Sequence, residues 1–277
     1  MKLSLGFSPC PNDTFIFDAL VNGRIDTGDL EFEVVMDDVE SLNKMARKGE
    51  LDITKISFHA YAYVSSVYQI LNAGAALGKG CGPILISKDP IPANKIKYCV
   101  VGIPGRLTTA NLLFSLAFPD ALTKKEIVFS QIEQELLDDR IDAGVIIHEN
   151  RFTYEQKGLH KIMDLGAYWE EHYGVAVPLG GIAIKRSIPA EIAARVDRLI
   201  RESVTYAFAN PNHSAAYVAQ HAQEMDPAVM QQHIGLYVNE HSIDLGEAGR
   251  QAIEKMYIES AGIGLTREVM QPLFVAV

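Results

Sequence analysis

Ile141-Asp142-Ala143-Gly144-Val145-Ile146-Ile147-His148-Glu149 is a short apolar run that stops abruptly on polar residues. Its length and its sharp end fit a strand buried in a parallel sheet. Ligands of open α/β sheets sit outside the carboxyl ends of the strands, so a histidine at that end faces a crevice. Histidine is also the side chain whose ordinary pKa lies nearest neutrality, which suits it to take a proton. A histidine merely hydrogen-bonded at a surface turn fits the run as well, so the rest of the chain has to decide. The same plan occurs earlier in Leu51-Asp52-Ile53-Thr54-Lys55-Ile56-Ser57-Phe58-His59: an aspartate, a β-like run, polar residues at its carboxyl end. Leu3-Ser4-Leu5-Gly6-Phe7-Ser8-Pro9 and Cys99-Val100-Val101-Gly102-Ile103-Pro104-Gly105 also match, each a strand closed by glycine and a proline-bearing loop ahead of a helix. Such an echo fits two similar α/β lobes better than a solenoid. Facing lobes would set Ser57 and His148 on opposite walls of one cleft.

The 277 residues suffice for two lobes or one large domain, with 48% hydrophobic and 22% charged residues marking a globular chain. A net charge of −10 argues against a nucleic-acid or anionic-membrane binder, which would show a basic face. It leaves room for an anionic small substrate, because a pocket can oppose the global sign. Cys10, Cys81 and Cys99 are odd in number and lack metal-ligand spacing, so they read as reduced thiols. The first residues turn polar too soon for a signal peptide, and no apolar stretch approaches the ~20 residues of a membrane span. A cytoplasmic protein without membrane insertion is expected, with a homodimer open as its assembly.

Between the echoing strands the punctuation is local. After the first strand, Asn12, Asp13 or Thr14 can cap the following helix and Gly23 can end it. A strand-to-helix loop with free N–H groups is also a ready place for an anion. Asp37 or Asp38 can cap a second helix whose stripe of Val39, Leu42, Met45 and Ala46 reads as core alone. Gly74-Ala75-Ala76-Leu77-Gly78-Lys79-Gly80-Cys81-Gly82-Pro83 lacks the spacing and the hydroxyl of a phosphate loop, and reads as a cleft edge or crossover. Lys88-Asp89-Pro90-Ile91-Pro92 reads as a lobe boundary. Thr108 or Thr109 can cap a helix over 110–117, whose exposed N–H groups can hold a carboxylate. Phe152, Tyr154, Tyr168 and Trp169 follow the histidine and can wall a ring-binding pocket or be ordinary core. The Gly180-Gly181 region reads as the return strand. Beyond it helices are expected over 190–210, 212–223, 227–237 and 245–261. His213, His221, His233 and His241 among them are expected to be solvated or satisfied in the core, with no metal site.

Taken together, Ser8-Pro9-Cys10-Pro11-Asn12-Asp13-Thr14-Phe15, Lys55-Ile56-Ser57, Pro104-Gly105-Arg106-Leu107-Thr108-Thr109-Ala110, Ile147-His148-Glu149 and Asp164-Leu165-Gly166 resemble the 1,4-dihydroxy-6-naphthoate synthases of the futalosine route to menaquinone. The resemblance runs from the first strand to the C-terminal helices, and the proline-flanked cysteine loop is its most specific mark. It implies an α/β, periplasmic-binding-protein-like type II fold: two lobes of mixed sheet with helices on both faces, joined by two crossovers around an interlobe cleft. Residues 1–90 with 183–277 would form the first lobe, and 91–182 the second, carrying His148. The implied reaction converts cyclic dehypoxanthine futalosine to 1,4-dihydroxy-6-naphthoate with loss of dihydroxyacetone, without cofactor or metal. Position by position, His148 matches the general base, Lys55, Ile56 and Ser57 one substrate-binding segment, and Thr109 and Ala110 the other. Asn12 and Asp13 are candidate pocket-lining groups. Two other readings share this fold: a chorismate dehydratase of the same pathway and a solute-binding protein without catalysis, the second disfavoured by the absence of an export signal.

Overall fold

In the computed structural model, which describes residues 1–148, 150–222 and 226–276, β1 (Lys2–Phe7) passes through a two-proline loop into α1 (Pro11–Val21). β2 (Glu31–Met36), α2 (Val39–Lys48), β3 (Ile53–Ser57), the single turn α3 (Phe58–Tyr61), β4 (Tyr68–Ile70) and β5 (Ala76–Gly78) follow. Next come β6 (Ile84–Ser87), β7 (Val101–Ile103), α4 (Thr109–Ala117), β8 (Lys124–Glu126), α5 (Ile132–Leu137) and β9 (Ala143–Ile146). α6 (Asn150–Thr153), β10 (His160–Asp164), α7 (Leu165–Tyr173) and the long β11 (Val177–Lys185) lead to the closing helices. These are α8 (Ala190–Ala209), α9 (Pro211–His221), α10 (Pro227–Tyr237), α11 (Glu240–Ile243) and α12 (Gly246–Gly262). Glu149, left beside the histidine by the sequence, and Gln223 at the expected end of a helix lie outside the described residues.

Two sheets result, and the sequence echo is their shared topology. The first runs β2-β1-β3-β11-β4, with β5 also paired to β11, and the second runs β10-β6-β9-β7-β8. β1 pairs in parallel with β2 and β3, and β11 closes on β3 antiparallel. β7 pairs in parallel with β8 and β9 in the same way, and β6 closes on β9 antiparallel. β3 and β9 therefore hold equivalent central places, and the residues beyond their carboxyl ends share one environment.

Two lobe assignments differ from the expectation. β6 lies in the second sheet, so the chain crosses between β5 and β6, within 79–83, ahead of the proline cluster at 88–92. The return also comes early, because Val177 already pairs with Gly78 in the first sheet. An apolar run of four says nothing about which strand it will pair with, and prolines mark irregular backbone, not a change of sheet.

Helix starts follow local chemistry. Asp38 caps α2 through the N–H groups of Glu40 and Ser41, and Gly49 ends it at φ +69°. Thr108 caps α4 by accepting from Asn111 N at 3.2 Å. α1 departs from expectation: Pro11 occupies its first turn, Cys10 stands at the cap position without its side chain capping the helix, and Asn12, Asp13 and Thr14 lie inside the helix. Proline's fixed φ starts a helix without needing a capping side chain, which leaves Asn12 and Asp13 available for other bonds. Phe7, Phe15, Ile16 and Phe17 pack with Val196, Ile200 and Val204 of α8 on one face of the first sheet. A second core joins Phe58, Tyr61 and Tyr68 to Leu113, Phe114 and Trp169, so apolar packing continues from one sheet's side to the other's. Among the described residues no helix is long and apolar enough to cross a membrane.

Candidate active site

The two equivalent β-loop-α units deliver their helix starts to one cleft. Asn12 and Asp13 come from α1, Lys55, Ile56 and Ser57 from β3, Thr109 and Ala110 from α4, and His148 from the loop after β9. All of these candidate residues line the same cavity. Val39, Leu179 and Tyr237 add apolar cover. The aromatics expected as ring walls do not line it: Trp169 is fully buried, its Nε1 donating to Ala176 O at 3.1 Å, and Tyr154 sits in a separate small core.

The α1 side is a chain of buried polar groups. Lys55 Nζ lies 2.8 Å from Asp13 Oδ1, with the two side chains 7% and 1% exposed. Asn12 Nδ2 donates to the same oxygen at 2.8 Å, and Asp13 Oδ2 accepts from Ser8 N at 3.1 Å and Ser8 Oγ at 2.7 Å. Asp13 is thus saturated, and it neutralises the Lys55 charge. A buried pair persists when its remaining hydrogen-bonding capacity is met, and here it is. His233 of α10 joins from the far side, its Nε2 2.9 Å from Asn12 Oδ1. Asn12 Oδ1 is an acceptor, so the bond assigns the proton to Nε2 of His233. Burial, reinforced by His148 and Lys55, pushes His233 well below the usual histidine range, so it stays neutral.

On the α4 side, Asn43 of α2 clamps Ser57 at both ends. Its Oδ1 accepts from Ser57 N at 2.9 Å and its Nδ2 donates to Ser57 Oγ at 3.1 Å. Ser57 Oγ therefore keeps its own proton to donate. Thr109 differs: its hydroxyl already donates to Leu179 O at 2.5 Å and accepts from His59 N at 3.4 Å. What α4 offers a ligand is the N–H groups of Thr109 and Ala110, which in a first helical turn have no intrahelical acceptor. With the matching turn of α1 in the same cleft, two positive helix ends converge there.

His148 is set apart by its backbone. Its φ of +57° is left-handed, a region uncommon for side chains other than glycine and one that costs of order 1–3 kcal/mol. The half-buried ring is held edge-on by Phe129, centroids 4.9 Å apart, and lies nearly parallel to His233 at 5.8 Å and 10°. Cys10 Sγ is 3.9 Å from its Nε2. The second sheet thus supplies the histidine and its edge contact, and the first sheet supplies the sulfur and stacked ring opposite.

Three members of this arrangement have a link to the site that the sequence does not announce. His233 is satisfied in the core, one of the two expected outcomes, but its partner is the cleft residue Asn12 and its ring stacks on His148. Its signal was its place between Met230, Ile234 and Tyr237 on the buried face of a helix, where an imidazole needs a partner. Asn43 sits in the α2 stripe that read as core alone, and a buried asparagine beside Leu42 was the available hint. Cys10 reads as a reduced thiol within the loop that marks the resemblance, and nothing in the sequence sets its sulfur beside His148. Among the described residues no three metal-ligating side chains come together.

The family model described as menaquinone biosynthesis matches residues 3–261. A Thermus thermophilus protein named 1,4-dihydroxy-6-naphthoate synthase is 42% identical over 273 residues, 99% of each chain. A Streptomyces coelicolor protein of the same name is 43% identical over 268 residues, 95% of this chain and 94% of that one. Among solved structures, a protein from Archaeoglobus fulgidus superposes with a TM-score of 0.90 at 36% identity, covering 95% of this chain and 98% of its own. The alkanesulfonate-binding protein of Xanthomonas axonopodis, solved with a bound buffer molecule, gives a TM-score of 0.72 at 12% identity over 99% and 97%. The last likeness shows the fold alone: the two-lobed architecture of periplasmic binding proteins.

Proposed function

The chain belongs to the menaquinone-biosynthesis family, and from that premise we propose that its cleft carries out the 1,4-dihydroxy-6-naphthoate synthase reaction with His148 as general base. The observation that carries the base assignment is the strained, left-handed His148, held over the cleft between Phe129 and His233. Backbone strain of this kind persists where the surroundings over-determine it, and it concentrates at functional sites.

The reaction releases dihydroxyacetone from cyclic dehypoxanthine futalosine and ends in an aromatic dihydroxynaphthoate, so aromatisation supplies the drive. The protein has to hold an anionic substrate and move protons. The N–H groups of Thr109 and Ala110, with the Ser57 hydroxyl, form a donor set suited to the substrate carboxylate or a developing oxyanion. Thr109 acts through its backbone, because its hydroxyl is committed to Leu179. Lys55, already balanced by Asp13, holds the α1 start in register and leaves the cleft without a strong fixed charge. Neutral His148 takes the proton, a step worth roughly a hundredfold to ten-thousandfold in rate. His233, kept neutral by burial, stacks on that ring without opposing the charge it acquires. The same reading puts the enzyme in the cytoplasm, where the buried Cys10, Cys81 and Cys99 stay reduced.

The test is product analysis. Purified protein given cyclic dehypoxanthine futalosine should yield equimolar 1,4-dihydroxy-6-naphthoate and dihydroxyacetone, and should leave chorismate untouched. Dehydration of chorismate, with no turnover of the futalosine derivative, would overturn the reading.

A further inference from the structure

Glu40, on the first turn of α2, does not line the reaction cleft, yet it touches both segments that hold the ligand there. It is 6% exposed, deep for an acidic residue. Its Oε2 accepts from Asn43 Nδ2 at 3.4 Å and from Leu107 N at 3.3 Å. Asn43 is the residue that clamps Ser57, and Leu107 immediately precedes Thr108, the cap of α4. One carboxyl group therefore connects the Ser57 wall of the first sheet's side to the Thr109 wall of the second's. Gly105 seals the contact from the same loop: its φ is +151°, and a Cβ there would lie 2.5 Å from Glu40 Cδ and Oε2. Only glycine gives that conformation together with that approach.

We propose that Glu40 is a positioning residue for the reaction, an interlobe latch whose carboxyl, bonded to Asn43 and Leu107, holds Ser57 and the start of α4 at the spacing the substrate requires. Its Oε1 is buried and has no hydrogen-bond partner among the described residues, so an ionised carboxylate would leave charge on an unsolvated oxygen. Burial accordingly raises the Glu40 pKa to about 7; the Asn43 bond, Lys44 and the Leu107 bond work against the rise, and Glu126 adds to it. Glu40 sits at the base of a second hollow, separate from the reaction cleft, and the other charged groups around it are Arg47 of α2, Arg106 of the loop, Lys124 of β8 and Arg267 near the C-terminus. Arg106 is spent on Glu126 at 2.6 Å, Lys124 on Asn111 and Ser115, and His59 of α3, pushed down to about 4 by burial, is neutral there. Separating the lobes would hydrate Glu40 and return it to the ordinary carboxylate range. Rising pH therefore favours separation: the closed form binds the proton, and its advantage is lost as pH rises through about 7.

This inference rests on the proposed reaction for its kinetic readout, and a second readout does not. In wild type, KM should rise by up to about tenfold from pH 6 to pH 8, most of it below pH 7, where the closed form still holds the proton that the open form has lost. Glu40→Gln, which keeps an acceptor and cannot ionise, should hold the low-pH KM across that range. Glu40→Ala should raise KM at every pH by more than it lowers kcat. Independently of turnover, amide exchange at Leu107, corrected for its intrinsic pH dependence, should accelerate as pH rises from about 5 to 7 in wild type, levelling off above that, and not in Glu40→Gln. A Glu40→Gln enzyme whose KM and Leu107 exchange follow pH as wild type's do overturns the latch. So does a Glu40→Ala enzyme that loses kcat alone. Wild type inert toward the futalosine derivative but with the pH-sensitive Leu107 amide would support the latch and refute the reaction.

Discussion

Asp13→Asn removes the carboxylate 2.8 Å from the Lys55 ammonium, at a place where the two side chains are 1% and 7% exposed. The amide that replaces it cannot serve every donor now pointing at Asp13. Lys55 Nζ and Asn12 Nδ2 meet one oxygen and Ser8 N and Oγ the other, so an NH2 group must face one of these pairs. Removing one partner of a buried ion pair costs roughly 3–5 kcal/mol, most of it the uncompensated charge left behind. At about 2–4 °C per kcal/mol for chains of this size class, the melting temperature should fall by about 6–20 °C. Adding Lys55→Met removes that stranded charge, and the double variant should recover at least half of the loss. Thermal melts and urea titrations of the four proteins of the cycle measure both quantities. A melting loss below about 2 °C for Asp13→Asn, or a double variant no more stable than the single, would refute the claim that this pair is desolvated and mutually dependent.

Stability should also carry a readable pH signature. His59, pushed down to about 4 by burial, and His233, pushed well below the usual range, take up protons on unfolding, so stability is lost as pH falls below about 6.5. Glu40, raised to about 7, works in the opposite sense, its contribution being lost as pH rises toward 7. Between pH 5 and 6 the balance is one proton, a slope of about 1.4 kcal/mol per pH unit, which Glu40→Gln should roughly double. Urea titrations across that range would show an unchanged slope if Glu40 is an ordinary carboxylate. Gly82→Ala should cost at least about 1–3 kcal/mol, because its Cβ would lie 2.2 Å from the Gly166 Cα and backbone has to move; a neutral result would mean β6 and α7 are not packed that closely. Ser57→Ala should raise KM by about ten- to hundredfold with a smaller effect on kcat, the loss of a hydrogen bond to a charged group. An unchanged KM would take Ser57 out of the binding set.

Much of the site was legible in the sequence because chemistry and topology repeat together. The matched strand-loop-helix units at 3–9 and 99–105, and the matched runs at 51–59 and 141–149, became equivalent strands of two sheets ordered alike. Residues at equivalent strand and helix ends therefore had to meet in one cleft. The helices beyond β11 also lie close to where apolar periodicity set them. What the sequence withheld were partnerships between distant residues. Nothing near His233 says that it will bond Asn12, since that contact depends on α10 packing against α1. The lobe crossings were misplaced for the same reason: a strand's sheet is chosen by its neighbours, not by its own residues. The α1 cap failed locally, where one proline outweighed three good capping side chains.

The central claim is that His148 takes the proton. His148→Asn tests it most directly, because asparagine tolerates the left-handed backbone of this position and cannot act as a base near neutral pH. The account predicts a normal melting temperature, affinity for 1,4-dihydroxy-6-naphthoate within a few-fold of wild type, and a kcat lowered by roughly a hundredfold to ten-thousandfold. Turnover within about threefold of wild type would contradict it.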